Sequence, residues 1–204
     1  MQLLDKNEIE KSLESEDEDS LFIDPLLDAS QIGEVTIDLR LGYDFLVSIL
    51  TRKPYIGISK SESDYRGLSS YFQKTRREVG EKFILYPNQV VLTTTLEYVS
   101  LPSNTYADVL TRSSYTRLGI KMNTMVQPAW RGCFPVELTN QGNNAVELVV
   151  GSRVFQTRLF NVGNTSDYLA SNSKRKYIAN VRPIVSRANS DHDLETLNKI
   201  ECNN

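Results

Sequence analysis

The chain has 204 residues, of which 40% are hydrophobic and 24% charged, so it is long enough for one domain with a substantial core. Its net charge of -3 argues against a protein that coats nucleic acid through bulk positive charge. His192 is the only histidine and there are two cysteines, which excludes a transition-metal site and a Ser–His or Cys–His nucleophile pair. Any chemistry has to rely on carboxylates, hydroxyls, lysines, arginines or a hard cation that the substrate carries.

The N-terminal segment predicts a cytoplasmic protein that starts with a short helix. MQLLDKNEIEKS has the pattern of neither a signal peptide nor a transit peptide, and no apolar stretch approaches membrane-spanning length. Cys133 and Cys202 are too few for a disulfide framework, which favours a reducing compartment. Asp5 followed by Glu8 fits a capping box, so a helix is expected to begin there, with Ile9 on its apolar face.

Two strands and a polar insertion are predicted next. LFIDP, residues 21–25, has the pattern of a short strand that ends at a proline. In VTIDLRLG, residues 35–42, apolar and polar residues alternate strictly, which is the clearest strand signal in the chain. Residues 51–80 are rich in Ser, Lys, Arg and Tyr and show weak periodicity. We interpret them as an insertion or a long hairpin arm and assign no chemistry to them.

Short strand-like segments follow one another from Phe83 to Gly163. They are FILY, QVVLTTTLEYVSL, YADVLTR, IKMNTMV, CFPVELTN and AVELVVGSRVFQTRLFNV, and turn residues such as Pro87 and Asn88 separate them. Many short strands and almost no helix predict a mainly β sandwich, barrel or jelly roll. We interpret residues 1–163 as one β domain and the polar residues 164–204 as a C-terminal tail.

The segment TRSSYTRLG, residues 111–119, gathers hydroxyls and guanidiniums where a strand gives way to a turn. Backbone N–H groups at such a bend can form an anion nest, to which Ser113 and Ser114 add donors. Arg117 projects from the same side as Ser113 if the bend is one helical turn. With Arg112, these side chains suit a phosphate chain. The alternative is a polar turn whose arginines face solvent.

The segment QPAWRGCFPVELTNQGN, residues 127–143, places one carboxylate on an irregular strand. Alternation puts Glu137 on the face opposite to Val136, and Pro135 cannot donate to a sheet ladder. Trp130 is placed to wall a pocket. A carboxylate in a pocket that is partly closed to water can act as a proton shuttle. The alternative is a surface glutamate on a strand.

The segment SKRKYIAN, residues 173–180, joins three basic residues to Tyr177 in the tail. A basic tail with an aromatic side chain can fold over a nucleotide, with the ring on the base and a lysine at the phosphates. The alternative is a solvated run of charges.

These three stretches, in this order, resemble the dCTP deaminase branch of the dUTPase superfamily. The resemblance also covers the N-terminal helix, LFIDP, VTIDLRLG and LYPNQVVLTTTLEYVSLP, so it spans most of the chain. RSS-x-x-RLG followed by W-x-G-x-x-x-x-E-L-x-N is a fairly specific combination. The resemblance implies a mainly β, dUTPase-like jelly-roll or β-barrel fold with a short N-terminal helix, assembled as a homotrimer with sites between subunits.

The resemblance implies hydrolytic deamination of dCTP to dUTP and ammonia. Glu137 matches the family's catalytic glutamate, which handles the proton of the water that attacks C4 of cytosine. Ser113 and Arg117 match essential positions: the serine would order the site, and the arginine would support the glutamate or the phosphates. Arg112 and Ser114 would complete the phosphate cradle.

The tail carries further matches. Lys176 and Tyr177 match the family segment that closes over the nucleotide, and Tyr168 is a further expected contact. Magnesium is expected to arrive on the triphosphate, with no zinc and no metal site on the protein, and dTTP or dUTP are possible inhibitors or products. Neither a nucleic-acid nor a membrane partner is expected. The full nucleotide-binding set that we infer is Arg112, Ser113, Ser114, Arg117, Gln127, Trp130, Pro135, Val136, Tyr168, Lys176, Tyr177 and Asn180.

The chain departs from the family pattern at several positions. Gln127 and Ala129 stand where the family usually has an aspartate, which typically faces the sugar, and a glycine. Asn180 stands where the family tail usually has a glutamine. The segment 120–126, expected to form the floor of the site, is a few residues shorter than usual.

Two alternative functions remain open. A dUTPase, or an enzyme that performs both reactions, would cleave between the α and β phosphates; such enzymes need an aspartate where Gln127 stands and generally a glycine-rich C-terminal lid. The chain has no glycine after Gly163. A relative that binds dCTP or dTTP without turnover is the alternative from another class.

Overall fold

The helices of the protein are short. The structure, a computed structural model, describes residues 1–52, 55–58, 67–163, 177, 179–191, 193–194 and 196–197. Helix α1 (Lys6–Leu13) begins with the predicted capping box: the Asp5 carboxylate accepts from the Glu8 N–H, and the Glu8 carboxylate accepts from the Asp5 N–H. Helix α2 (Ser113–Thr116) is a single turn. Among the described residues, none of the helices has the length and hydrophobicity that a membrane crossing requires.

Strands dominate the described part of the chain, as the spacing of turn residues predicts. They are β1 (Gln2–Leu3), β2 (Phe22–Asp24), β3 (Ile37–Arg40), β4 (Asp44–Ser48), β5 (Phe72–Arg76), β6 (Lys82–Leu85), β7 (Val90–Ser100), β8 (Thr105–Thr111), β9 (Ile120–Lys121), β10 (Asn123–Val126), β11 (Arg131–Asn140), β12 (Val146–Val149) and β13 (Arg153–Asn161). The prediction of a mainly β fold is therefore confirmed.

The strands form two large antiparallel sheets and one small one. In the first sheet the order is β1-β13-β8-β10, and β3 also pairs with β13. In the second sheet the order is β5-β4-β7-β11-β9, and β2 also pairs with β7. Strands β6 and β12 form the small sheet. The predicted strand IKMNTMV is divided, because β9 pairs with β11 in the second sheet and β10 with β8 in the first.

One hydrophobic core joins the two large sheets. Phe155 and Val109 from the first sheet belong to the same buried cluster as Phe134, Val136 and Leu138 from the second. The last three are the apolar positions of β11, so the alternation predicted for this strand is observed. Glu137 lies on the opposite face, away from the core.

The segment 51–80 takes part in the second sheet. Strand β5 lies within it and pairs antiparallel with β4, with Ser48 opposite Phe72. Residues 53–54 and 59–66 of the segment lie outside the described residues.

The alternation predicted for residues 35–42 is only partly observed. Val35 is exposed, and Asp38, expected on a polar face, is buried beside apolar neighbours. An ion pair explains the burial, since the Asp38 carboxylate lies 3.3 Å from the guanidinium of Arg112. The alternation of apolar and polar residues in this sequence therefore does not correspond to an alternation of buried and exposed side chains in the strand.

A buried carboxyl group connects the two sheets. Glu97 in β7 has no exposed surface, and its oxygens accept hydrogen bonds from the backbone N–H of Arg40 in β3 at 2.9 and 3.1 Å and from Gln31 at 3.2 Å. Burial raises the pKa of Glu97 to about 7, and these hydrogen bonds oppose the shift only in part. Because the folded-state pKa lies above the ordinary value, folding favours the protonated form.

The Glu97→Gln variant is expected to lose a pH dependence of stability. The contribution of Glu97 is fully present below about pH 4.5 and is lost as the pH rises through about 7. Relative to the variant, the free energy of unfolding of the wild type should therefore fall by about 2 to 3 kcal/mol from pH 5 to pH 8. Denaturant unfolding at several pH values measures this difference. Glu147→Gln, at an exposed carboxylate, is the control, and parallel profiles for wild type and Glu97→Gln would contradict the prediction.

Candidate active site

A pocket of about 290 Å³ lies on the face of the second sheet that carries Glu137. The sheet contributes a mixture of apolar and polar side chains. The C-terminal segment, by which we mean residues 177 and 179–191, covers one side of the pocket. The lining residues are Phe72, Leu92, Thr94, Trp130, Cys133, Pro135, Glu137, Tyr177, Asn180, Arg182, Ile184 and Ser186. The pocket therefore combines a carboxylate with aromatic walls, as a site for a small planar ligand requires.

The Glu137 carboxylate is held at one oxygen. The hydroxyl of Thr124 in β10 donates a hydrogen bond of 2.7 Å to Glu137 Oε2. Thr124 is buried, so this bond fixes the orientation of the carboxylate from the direction of the other sheet. Sequence reasoning missed Thr124, because nothing in IKMNTMV distinguishes its hydroxyl from that of any other strand threonine.

Pro135 lies at the irregularity that its missing N–H predicts. The register between β11 and β7 shifts between Cys133 and Pro135, and the neighbouring N–H of Phe134 donates to the hydroxyl of Thr95 instead. Burial and the nearby Glu97 raise the pKa of the Cys133 thiol to about 11. The thiol in the pocket wall therefore stays protonated at neutral pH and is a poor nucleophile.

Trp130 forms a wall whose orientation is fixed. Its indole N–H donates to the carbonyl of Gly132 at 3.2 Å, and only 7% of the residue is exposed. The preceding Ala129 has a φ of 57°, in the left-handed region that favours glycine. This conformation gives a physical reason for the glycine that the family resemblance implies at this position.

The C-terminal segment lies directly on the pocket. The carbonyl of Asn180 accepts a hydrogen bond of 3.0 Å from the N–H of Cys133, and the side chain of Asn180 donates to the carbonyl of Tyr177. Gly132 has a φ of 137°, and a Cβ there would lie 2.5 Å from the Asn180 carbonyl oxygen. Only glycine permits this close approach. The other predicted tail residues, Tyr168 and Lys176, lie outside the described residues.

The serine–arginine bend lies apart from the pocket lining of the same chain. Arg112 precedes α2, pairs with Asp38 and donates to the carbonyl of Arg153 at 3.2 Å. Ser113, Ser114 and Arg117 are exposed, and within the part of the chain that the structure describes Arg117 makes no ion pair. The bend therefore presents two hydroxyls and a guanidinium outward.

The remaining predicted residues do not present side chains to the pocket. Gln127 is exposed and is not among the lining residues. The side chain of Val136 is buried in the core, so this residue can reach a ligand only through its backbone. In the described ranges, no cluster of three or more His, Cys, Asp or Glu residues could hold a metal ion.

Seven lining residues were not among the predicted site residues: Phe72, Leu92, Thr94, Cys133, Arg182, Ile184 and Ser186. Phe72 comes from β5, within the segment 51–80 to which no chemistry was assigned. Arg182 and Ile184 follow the basic run in the tail. Arg182 is ambiguous in sequence because an arginine in a polar tail is typical of a solvated segment. Only the folded chain shows that it reaches the pocket.

Comparison with known proteins identifies the same family that the sequence motifs resemble. The family model described as dCTP deaminase-like matches residues 3–162. A protein of Methanobrevibacter smithii named "dCTP deaminase, dUMP-forming" is 36% identical over 200 residues, which are 96% of this chain and 100% of the relative. A Halorubrum lacusprofundi protein named "dCTP deaminase" is 39% identical over 143 residues, 68% of each chain.

A solved structure shows the same fold. The crystal structure of 2'-deoxycytidine 5'-triphosphate deaminase from Agrobacterium tumefaciens superimposes with a TM-score of 0.58 at 20% sequence identity. The match covers 87% of this chain and 53% of that one, so this chain spans about half the length of the solved structure. The predicted fold resemblance is therefore confirmed.

Proposed function

Because the chain belongs to the dCTP deaminase-like family, we propose that it removes the exocyclic amine of dCTP by hydrolysis. The observation that carries this proposal is the Glu137 carboxylate, held by Thr124 in a pocket that Trp130 walls and the C-terminal segment covers. A cytosine ring fits a pocket with aromatic walls and one proton-transfer group. The expected compartment is the cytoplasm.

The proposed reaction uses one carboxyl group as base and acid in turn. Glu137 takes a proton from water as the water oxygen bonds to C4 of cytosine, and it gives that proton to the ring nitrogen N3, which yields a neutral tetrahedral centre. Glu137 then moves the proton of the new C4 hydroxyl to the exocyclic amine, the C4–N bond breaks, and ammonia leaves as the C4 carbonyl forms. Zinc is not required in this scheme, because the carboxylate itself activates the water.

A second copy of the chain is part of the proposal. The bend that carries Arg112, Ser113, Ser114 and Arg117 does not line the pocket of its own chain. Its outward guanidinium and hydroxyls suit a triphosphate, and a homotrimer would bring the bend of one subunit to the pocket of another. Magnesium would enter on the triphosphate as part of the substrate. Mass determination in solution tests the trimer.

The second candidate product is dUMP. The Methanobrevibacter smithii relative, matched over its whole length, is named dUMP-forming, which favours deamination followed by cleavage between the α and β phosphates. Gln127 stands where the resemblance implies an aspartate for that cleavage, which favours dUTP as the product. The two candidates differ in pyrophosphate release.

Incubation with dCTP and magnesium tests both candidates. Chromatography of the nucleotides and assays of ammonia and pyrophosphate are expected to show ammonia with dUTP; pyrophosphate with dUMP would establish the second candidate. Tight binding of dCTP by calorimetry, without either product, would instead identify a nucleotide-binding relative and contradict the proposed enzyme. Unchanged turnover with a zinc-selective chelator is also expected.

The Thr124→Val variant is expected to lower kcat/KM for deamination by about 10- to 100-fold. Valine has nearly the same shape but cannot donate the hydrogen bond to Glu137, and a hydrogen bond to a charged group contributes about 1.5 to 3 kcal/mol. Steady-state kinetics measure the loss. Thr139→Val, which removes a threonine hydroxyl from β11, is the control. A loss of the same size in both variants would argue against a specific role for the hydroxyl.

A further inference from the structure

A buried carboxylate lies beside the pocket without a well-formed hydrogen bond at one of its oxygens. Asp44 begins β4 and is only 3% exposed. Among the described residues, its Oδ2 is buried and accepts no hydrogen bond. Two guanidiniums face it: Arg182 Nε lies 3.5 Å from Oδ2, and Arg76 Nη1 lies 3.9 Å from Oδ1.

The two guanidiniums are not equivalent. Arg76 lies on the strand adjacent to Asp44 and also pairs with Glu78 at 3.0 Å, so its charge is shared. Arg182 belongs to the C-terminal segment and lines the pocket that contains Glu137. If the segment moved away, the Asp44 carboxylate would lose the nearer guanidinium and keep only the longer and shared contact with Arg76. The attraction between Asp44 and Arg182 therefore favours the state in which the segment is docked.

The segment is held at two points on either side of the pocket. Near Asn180 its backbone bonds to β11, where Gly132 permits the close approach. At Arg182 it pairs with Asp44 of β4. The strands β11 and β4 flank β7, whose Leu92 and Thr94 contribute to the pocket between these points. A docked segment therefore closes the pocket from both sides.

We propose that Asp44 is a positioning residue that, through its ion pair with Arg182, holds the C-terminal segment over the pocket and thereby raises the affinity for the substrate. The inference rests on the proposed function for its substrate, dCTP, but the docking of the segment does not depend on catalysis. Asp44 itself does not line the pocket, so its effect through the segment falls on binding and leaves the chemical step nearly unchanged.

Hydrogen exchange in the protein without nucleotide tests the docking. In Arg182→Gln and Asp44→Asn, amides of residues 179–191 are expected to exchange about tenfold faster than in the wild type, because local opening becomes more favourable. Lys74→Gln removes an exposed positive charge from β5, one strand away, and is expected to leave the exchange unchanged. Equal exchange in the wild type, Arg182→Gln and Asp44→Asn would overturn the proposal.

Kinetics with dCTP test the consequence for the substrate. Asp44→Asn, at a residue outside the pocket lining, is expected to raise KM about tenfold and to change kcat less than about threefold. A fall in kcat with unchanged KM would overturn the positioning role. If the wild type turned over no dCTP, the proposed function would fail, whereas the exchange experiment would still decide whether Asp44 holds the segment.

Discussion

The Glu137→Gln variant is expected to lose at least about 1000-fold in kcat for dCTP deamination while it keeps its fold and its affinity for dCTP. General acid and base catalysis each contribute roughly 100- to 10,000-fold, and in the proposed reaction one carboxyl group supplies both. Glutamine has the same shape and can still accept the hydrogen bond from Thr124, but it can neither take nor give the proton. Ammonia release under saturating dCTP measures the loss.

Stability and binding should separate this effect from misfolding. Glu137 lies on the face of β11 away from the core, so its replacement removes no buried packing. Unfolding curves and dCTP calorimetry of the variant are therefore expected to match the wild type. Glu147→Gln is the matched control, because it removes a carboxylate from another strand, where Glu147 pairs with Lys82 at 3.0 Å. Full turnover by Glu137→Gln would remove the basis of the proposed mechanism.

The features that the sequence predicted correctly are local ones. The capping box at Asp5 depends on residues three apart, and the alternation along β11 depends on the pleat of a single strand. Both patterns are complete within a few residues of chain, so they can be interpreted without a partner. The position of Glu137 opposite to the core followed from the same alternation.

The features that the sequence did not predict depend on distant partners. Asp38 and Glu97 are buried although they are charged, because one pairs with Arg112 and the other accepts the N–H of Arg40, 57 residues away. Arg182 reaches Asp44 across most of the chain. Such pairs are made by the topology of the sheets, and the residues near each partner carry no local sign of them. For this reason the pocket wall from β5 and the ion pair between the tail and Asp44 were missed.

The bend and the end of strand β11 meet through two glycines. Gly119 ends the motif RSSYTRLG and has a φ of 91°, and its carbonyl accepts a hydrogen bond of 2.8 Å from the N–H of Gln141. A Cβ at Gly119 would lie 2.6 Å from the backbone nitrogen of Gly142 and 2.8 Å from its Cα. The contact therefore fixes the bend that carries Arg117 against the end of β11.

The Gly119→Ala variant is expected to lose on the order of 3 kcal/mol of the free energy of unfolding and most of the deaminase activity. The left-handed backbone costs about 1 kcal/mol for alanine, and the rest comes from the clash with the backbone of Gly142, which no rotamer change relieves. Gly163→Ala is the matched control: its φ is 81°, but a Cβ there meets no atom of the described residues within 4 Å. The control should lose about 1 kcal/mol and keep its kcat/KM. Denaturant unfolding and dCTP kinetics measure both variants, and equal losses would show that the two glycines are needed only for their backbone conformation, with no contribution from the contact between the bend and β11.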